Sequence, residues 1–549
     1  MLTPMPTLIQ FGAGNIGRGF IAPTFATAGW KVIFVDVAPA LVAALRERGA
    51  YVVHLVTDET SVTQTVTGVS VIDGREVEAV ATAVAACDLV ATAVGLNVLP
   101  RLGAPLAQGL MRRDRPLDIL VCENGAQAHT MLRDAILTLA PTAAGRLGCV
   151  RTSIGRMIPS SAPGADVLDL RVEPYACLPV ERAAFRGPLP EVAALKFAHD
   201  FDLVLAQKLY LHNLTHACLA YGGHLRGYAT IPDCMLDAPL VERTRAVAEA
   251  VAVALGRRHG GDAEASSRAL ADGLLIRYRN RALADPVARV ARDPWRKLAA
   301  DDRLLGAARL CLAQDVSLAP IASALADACR YTAAADEPRA DEWNHLAPLV
   351  RLATAGGLSP QDPVMTATSA QLEKQSRQAT AAVQMRAAGL TLRDDEAAAI
   401  EIADFGLGRY AEFGLAIHVY VNTRRCCAKE LMMTPGQTCP EHRHPPIDTD
   451  PGKEETFRVR QGEVFLHIAG DHDDATRSSA LSRLPADKRT TVSVFRTVHL
   501  RPGEQWTLGP NTKHWFTAGP QGAVVSEFST RSRDEADVFT DEAIVRVPV

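Results

Sequence analysis

The sequence predicts a multidomain chain: a parallel α/β domain, a mostly α-helical domain, and an all-β barrel with flanking helices. Short apolar runs alternate with Ala- and Leu-rich amphipathic stretches over residues 1–196, the pattern of βαβ units whose sheet is covered on both faces. From 197 to 355 long Ala/Leu/Arg segments of helical period take over. Beyond a linker at 356–370, rich in Gly, Pro, Ser and Thr, residues 371–549 hold short alternating runs between closely spaced turn signals. At 549 residues the chain exceeds what one core usually serves.

In the first region the strand-like runs are "TLIQF" from Thr7, "KVIFVD" from Lys31, "DLVATAV" from Asp88 and "DILVCEN" from Asp118. The helical region is typified by "LVERTRAVAEAVAVALGRRHGG", with the glycine pair as its stop. In the third region "QLEKQSRQATAAVQMRAAGL" reads as helix, and "EVFLHIAG", "TVSVFRTVHL" and "QWTLGP" as strands.

Gly12, Gly14 and Gly17 form a GxGxxG between a strand-like run and helix-compatible residues, and Asp36 ends the next apolar run. Such glycines let backbone approach a pyrophosphate, whose charge a helix amino end favours. The reading is a Rossmann NAD-binding domain. Asp36 suits an adenosine ribose and repels a 2′-phosphate, so NAD is expected over NADP.

In "QKLYLHNLTHACLAY" a regular helix places Lys208, Asn213 and His216 within about 140° of one another. A lysine shielded from water loses basicity and can take the proton of a substrate hydroxyl as hydride leaves for the nicotinamide. Asn213 could hold the oxygen and His216 a neighbouring hydroxyl. The plain alternative is a surface lysine, a capping asparagine and a core histidine.

"FGAGNIGRGFI", "TAVG" at Thr92–Gly95, "CEN" at Cys122–Asn124, the Lys208/Asn213/His216 spacing and "RKLAADDRL" at Arg296–Leu304 resemble the polyol-specific long-chain dehydrogenases, above all the mannitol-1-phosphate 5-dehydrogenases, from Leu8 to Leu349. The resemblance implies a metal-free dehydrogenase with Lys208 as general base, Asn213 and Asn124 at the oxyanion and His216 beside them. It extends cofactor binding to Asn15, Ile16 and Gly95. The sequence departs at Gly155, where the family usually has aspartate, and at Arg279 and Arg281, where relatives tend to have Glu and Pro. A free hexitol or pentitol therefore stands beside a polyol phosphate as substrate.

In the third region His442 and His444 alternate along a strand, Glu455 follows after ten residues, and His514 follows "GEQWTLGPN". With Gly436, Gly462, Gly503 and Gly509 this frame matches the two cupin motifs, apart from a long "PPIDTDPGKE" insert that reads as loop. Glu454 rivals Glu455, but strand alternation turns it away. Three imidazoles and a carboxylate leave two positions of an octahedral ion open for adjacent sugar oxygens, which suits Mn²⁺ or another divalent metal.

The stretch from "IEIADFGLGRYAEFG" through "CPEHRHPP" and "GKEETFRVRQGEV" resembles the D-lyxose ketol-isomerases, from Gln371 to Val549. That resemblance implies His442, His444, Glu455 and His514 as metal ligands, Lys429 in "CAKE" as active-site lysine, Glu527 as acid/base, and a homo-oligomer formed through the cupin domain. A polyol dehydrogenase yields a ketose and a ketol-isomerase consumes one, so the fusion has chemical sense. Competing readings are an Fe(II)-dependent oxygenase cupin and a non-catalytic sugar sensor attached to the dehydrogenase.

Composition narrows the partners. A formal net charge of −4 gives no general attraction for nucleic acid, and no run approaches the ~20 apolar residues of a membrane span. Sugars and polyols remain as partners. Eleven scattered cysteines without a CxxC pair, and an amino terminus without a signal core, lead to the expectation of a cytoplasmic protein.

Overall fold

The computed structural model describes residues 5–125, 127–158 and 166–546. It contains two compact units, Met1–Thr368 and Ser369–Val549.

In the first unit six strands, β1 (Thr7–Phe11), β2 (Lys31–Asp36), β3 (Val69–Asp73), β4 (Leu89–Thr92), β5 (Leu117–Val121) and β6 (Leu147–Arg151), form one sheet in the order β3-β2-β1-β4-β5-β6. All five pairings are parallel. Successive residues feed opposite faces. Leu8 and Leu120 join a core with Phe20 and Phe34, while Ile9, Ile119 and Val121 join another with Leu106 and Leu132. Both faces are thus dry, which explains runs that are apolar throughout. Strand order reverses between β1 and β4, and the crevice beyond the carboxyl ends of these strands is where such sheets receive ligands.

The GxGxxG turn occupies that point. Gly12 has φ +87°, and a side chain there would collide with the Ala93 carbonyl; one at Gly17 would collide with the Gly12 carbonyl. Both glycines are required by close backbone approach.

Helices follow from Phe201 onward around one core that includes Tyr221, Leu255, Leu274 and Trp343. The long Ala/Leu/Arg segment is helix Ala238–His259, started by Asp237 accepting from Leu240 N (3.0 Å) and ended at Gly260 with φ +70°. The expected linker 356–370 is largely helical. Helix Pro348–Gly356 stops at left-handed Gly357, and the next helix already begins at Pro363. Asp362 accepts from Val364 N (2.8 Å), so an Asp cap followed by Pro starts a helix in a segment whose composition reads as loop.

The second unit is an antiparallel sheet of nine strands with flanking helical segments. Its hub is the long strand His514–Ser529. The first half of that strand pairs with Thr438–Arg443 and with the end of Glu455–Ile468; its second half pairs with Cys427–Met433 and with the start of Glu455–Ile468. Leu431, Phe457, Val459, Leu466 and Phe516 fill the interior. One expectation fails locally. "TVSVFRTVHL" is strand only from Arg496, because the Ser493 and Val494 amides donate to the buried Glu441 carboxylate and not to a neighbouring strand. Among the described residues no helix is long and apolar enough to cross a membrane.

Replacing Gly17 by Ala is expected to cost about 1–3 kcal/mol through overpacking, seen as a melting temperature of the first unit lowered by roughly 1–4 °C in calorimetry.

Candidate active sites

The first unit holds a cleft of about 1050 Å³ at the switch point. Its walls bring together Asn15, Ile16 and Gly95 from the loops after β1 and β4, Asn124 after β5, and Lys208, Asn213 and His216 from the helical part. Gly14 and Asn15 are exposed at its edge, and space for a side chain at Gly14 is open. Asp36, at the end of β2, already accepts from Ala13 N (2.7 Å) and Ala38 N (2.9 Å), which fixes its carboxylate beside the glycine turn.

The helix that carries the three polar residues is not regular. Lys208–Asn213 is a π-helical turn between helices Phe201–Gln207 and Leu214–His224. Hydrogen bonding from i to i+5 stacks residues five apart, so Lys208 and Asn213 lie closer on one face than a regular helix allows. Burial, and next Arg277 and Arg303, pull the Lys208 ammonium down to about 7. His216 lies 3.1 Å from Asp285 through Nε2 and Oδ2 and stacks on Tyr278 with centroids 4.9 Å apart.

The cleft also contains residues that the sequence reading did not single out. His212 lies 3.1 Å from Lys208 Nζ through its Nδ1. Lys297 is buried, and desolvation followed by Arg303 and Arg296 lowers it to about 7. Helical spacing marks His212, four residues after Lys208. Lys297 sits inside "RKLAADDRL", already quoted. Near Gly155, Arg277 donates to the Gly155 carbonyl and pairs with Glu173, so a carboxylate occupies the neighbourhood from another strand end. Arg279 and Arg281 are exposed and do not line the cleft.

In the second unit His442, His444 and His514 are buried with ligand nitrogens within 4.8 Å of one another. Glu455 Oε1 lies 3.1 Å from His444 Nε2 and 3.2 Å from His514 Nε2, beside two of the three imidazoles. Each ring is held through its other nitrogen: His442 Nδ1 to the Pro440 carbonyl (2.8 Å), His514 Nδ1 to the Thr512 carbonyl (3.0 Å), and His444 Nδ1 to Asp537 (2.5 Å). This leaves the Nε2 atoms of all three rings for the interior, His444 Nε2 meeting Glu455 and His514 Nε2 buried without a hydrogen bond. The donor set fits a divalent cation. Burial pushes His442 and His514 down and keeps them neutral; for His444 burial is outweighed by Glu455 and Asp537, which raise it to about 9. Glu454 is exposed, as alternation requires.

The inserted loop delivers Lys453 to this centre. Its Nζ lies 2.7 Å from Glu455 Oε2 and 2.6 Å from Glu527 Oε1. Lys453 precedes Glu455 by two residues, the period of a strand, and that was the available signal. Lys429 lines the same cavity, but its ammonium donates to Ser532 Oγ (2.8 Å) and pairs with Asp534 (3.2 Å).

With this geometry in view, family relationships are plain. Residues 6–194 match the mannitol dehydrogenase Rossmann domain, 201–403 the mannitol dehydrogenase C-terminal domain, and 368–549 D-lyxose isomerase. A D-lyxose ketol-isomerase of Cohnella laeviribosi is 51% identical over 30% of this chain and 88% of its own length. A mannitol-1-phosphate 5-dehydrogenase of Brevibacillus brevis is 35% identical over 59% of this chain and 85% of its own. Pseudomonas fluorescens mannitol 2-dehydrogenase, solved as a ternary complex with NAD and D-mannitol, shares the fold of the first unit: TM-score 0.53, 15% identity, 70% of this chain and 95% of that one.

Asp537→Asn is expected to weaken divalent-metal binding about 10–100-fold in equilibrium dialysis while leaving the far-ultraviolet circular dichroism unchanged, since it removes the group that orients His444.

Proposed function

Because the chain belongs to the mannitol dehydrogenase family over its first two matched regions and to the D-lyxose isomerase family over its third, we propose that it is a bifunctional enzyme that interconverts a polyol, a ketose and an aldose. One site oxidises a polyol with NAD; the other isomerises the ketose with a divalent metal, Mn²⁺ by its donor set. The shared ketose selects D-arabinitol, D-xylulose and D-lyxose, or mannitol, fructose and mannose. Mannitol 1-phosphate suits the first site alone.

In the first site Gly12, Gly14 and Gly17, with Asn15, Ile16, Gly95 and Asp36, would hold NAD, which when bound accepts the hydride of the carbinol carbon. Lys208, about half unprotonated near neutrality, takes the hydroxyl proton. Asn213 and Asn124 donate to the oxygen as its charge grows, and His216, steadied by Asp285, meets the neighbouring hydroxyl.

In the second site His442, His444, Glu455 and His514 would hold the metal, which when bound polarises the two adjacent sugar oxygens and acidifies the proton between them. Glu527 carries that proton between C1 and C2. Lys453 pins Glu527 on one side and Glu455 on the other, so acid/base and ligand keep a constant relation. Lys429 and Asp534 complete the cavity wall. The observation that supports this reading is the presence of two side-chain clusters, a lowered lysine in the cleft with Asn124, Asn213 and His216, and three imidazoles with Glu455 beside Lys453 and Glu527.

A panel of alditols, pentoses and hexoses, followed by NADH fluorescence and sugar analysis, tests it. A chain with one activity only overturns the bifunctional reading. For alditol oxidation kcat/KM is expected to rise with pH through about 7, falling about tenfold per unit below it, because the unprotonated Lys208 amine is the base. Lys208→Met should cost about 10³-fold in kcat.

A further inference from the structure

The dehydrogenase reading leaves buried groups of the cleft unused, among them Lys297 and His212, and of these two it is His212 that lies within hydrogen-bond distance of the Lys208 amine. His212 is 6% exposed, lines the cavity, and lies one helical step from Lys208 with Nδ1 at 3.1 Å from Nζ. Its backbone is locked: the Tyr278 hydroxyl donates to the His212 carbonyl at 2.8 Å and is itself 3.1 Å from Thr215 Oγ1. The Tyr278 ring stands edge-on to the imidazole at 6.4 Å. A side chain so confined inside the π turn has little freedom to leave the lysine.

We propose that His212 is the positioning residue of the dehydrogenase base: its unprotonated Nδ1 accepts one N–H of the Lys208 amine and so aims the lone pair of that amine into the cleft. This rests on the polyol dehydrogenase reading and adds to it the device that orients the base. The proton inventory follows. In oxidation the substrate O–H bond breaks and its proton becomes the third N–H of Lys208, while the C–H pair leaves for the nicotinamide. His212 keeps a single proton, on Nε2, throughout. A cationic imidazole beside an ammonium is excluded by their repulsion and by burial, which push His212 well below its ordinary value. The charged and titratable groups facing the pair are Arg277, Glu173 and Arg303 around Lys208, and His216 beside His212, with Asp285 behind His216.

The sign of the effect is determined by the acceptor. A lone pair directed at Lys208 stabilises its ammonium, so removing it makes the lysine less basic. His212→Leu, of similar volume, is expected to move the acid limb of kcat/KM for alditol oxidation about one pH unit lower and to reduce kcat at pH 9 about tenfold, with KM little changed. His212→Asn, whose Oδ1 can replace Nδ1 as acceptor, should bring the limb back. A second measurement needs no turnover: ¹⁵N–¹H correlation spectra of histidine-labelled protein, assigned by the Asn variant, should show His212 as the Nε2–H tautomer from pH 6 to 9. An unmoved limb with unchanged kcat in the Leu variant overturns the proposal, as does an Nδ1–H tautomer. A wild-type chain that reduces NAD with no alditol overturns the dehydrogenase reading itself, and the tautomer then still decides the hydrogen bond.

Discussion

Burial of charge governs both sites, and it acts on two lysines in opposite ways. Lys208 is taken out of water beside Arg277 and Arg303, with only Glu173 to oppose them, and that carboxylate is committed to Arg277; its ammonium falls to about 7. Lys453 is buried too, yet the desolvation that would lower it is overcome by Glu455 and Glu527, which hold it above its ordinary value. The same side chain is lowered in one cleft, as the proposed base requires, and raised in the other. Everything else in the two sites is arranged around this difference.

The consequences match the chemistry each site performs. Alcohol oxidation needs a group that accepts a proton at neutral pH, and a depressed lysine on a π turn provides one next to two asparagines and a histidine. The proposed isomerisation uses a polarising cation and a carboxylate that stays in register with it. The Glu455–Lys453–Glu527 chain supplies that register, and Asp537, Pro440 and Thr512 keep the imidazoles aimed. The product of the first reaction has the functional group consumed by the second, so one chain supplies both catalysts in equal number.

Much of this was legible from residues. The glycine turn, Asp36, the helical triad and the four expected metal ligands all sit in short motifs whose spacing follows from strand or helix periods; Lys208, Asn213 and His216 line one cleft, and His442, His444 and His514 cluster with Glu455 beside the last two. What escaped was set by tertiary context. Helix Pro363–Ala387 begins inside a stretch whose Gly, Pro and Thr content reads as linker, because an Asp cap and Pro at the first turn outweigh composition. Thr491–Phe495 has strand-like residues, but Glu441, distant in sequence, takes its amides. Lys453, in a loop, was not singled out although it meets Glu455 and Glu527, and Lys429, expected as the active-site lysine, lines the same cavity paired with Asp534. A π turn leaves no mark in hydrophobic periodicity, so the closeness of Lys208 and Asn213 could not be read beforehand.

The central claim is that a single polypeptide carries polyol to aldose through a ketose by two separable sites. The most direct measurement follows D-arabinitol or mannitol with NAD and Mn²⁺ by chromatography, using wild-type protein and Glu455→Gln side by side. The wild type is expected to yield ketose and aldose, and the variant ketose without aldose at an undiminished rate of NADH formation. Aldose produced equally by both proteins, or by neither, would contradict it.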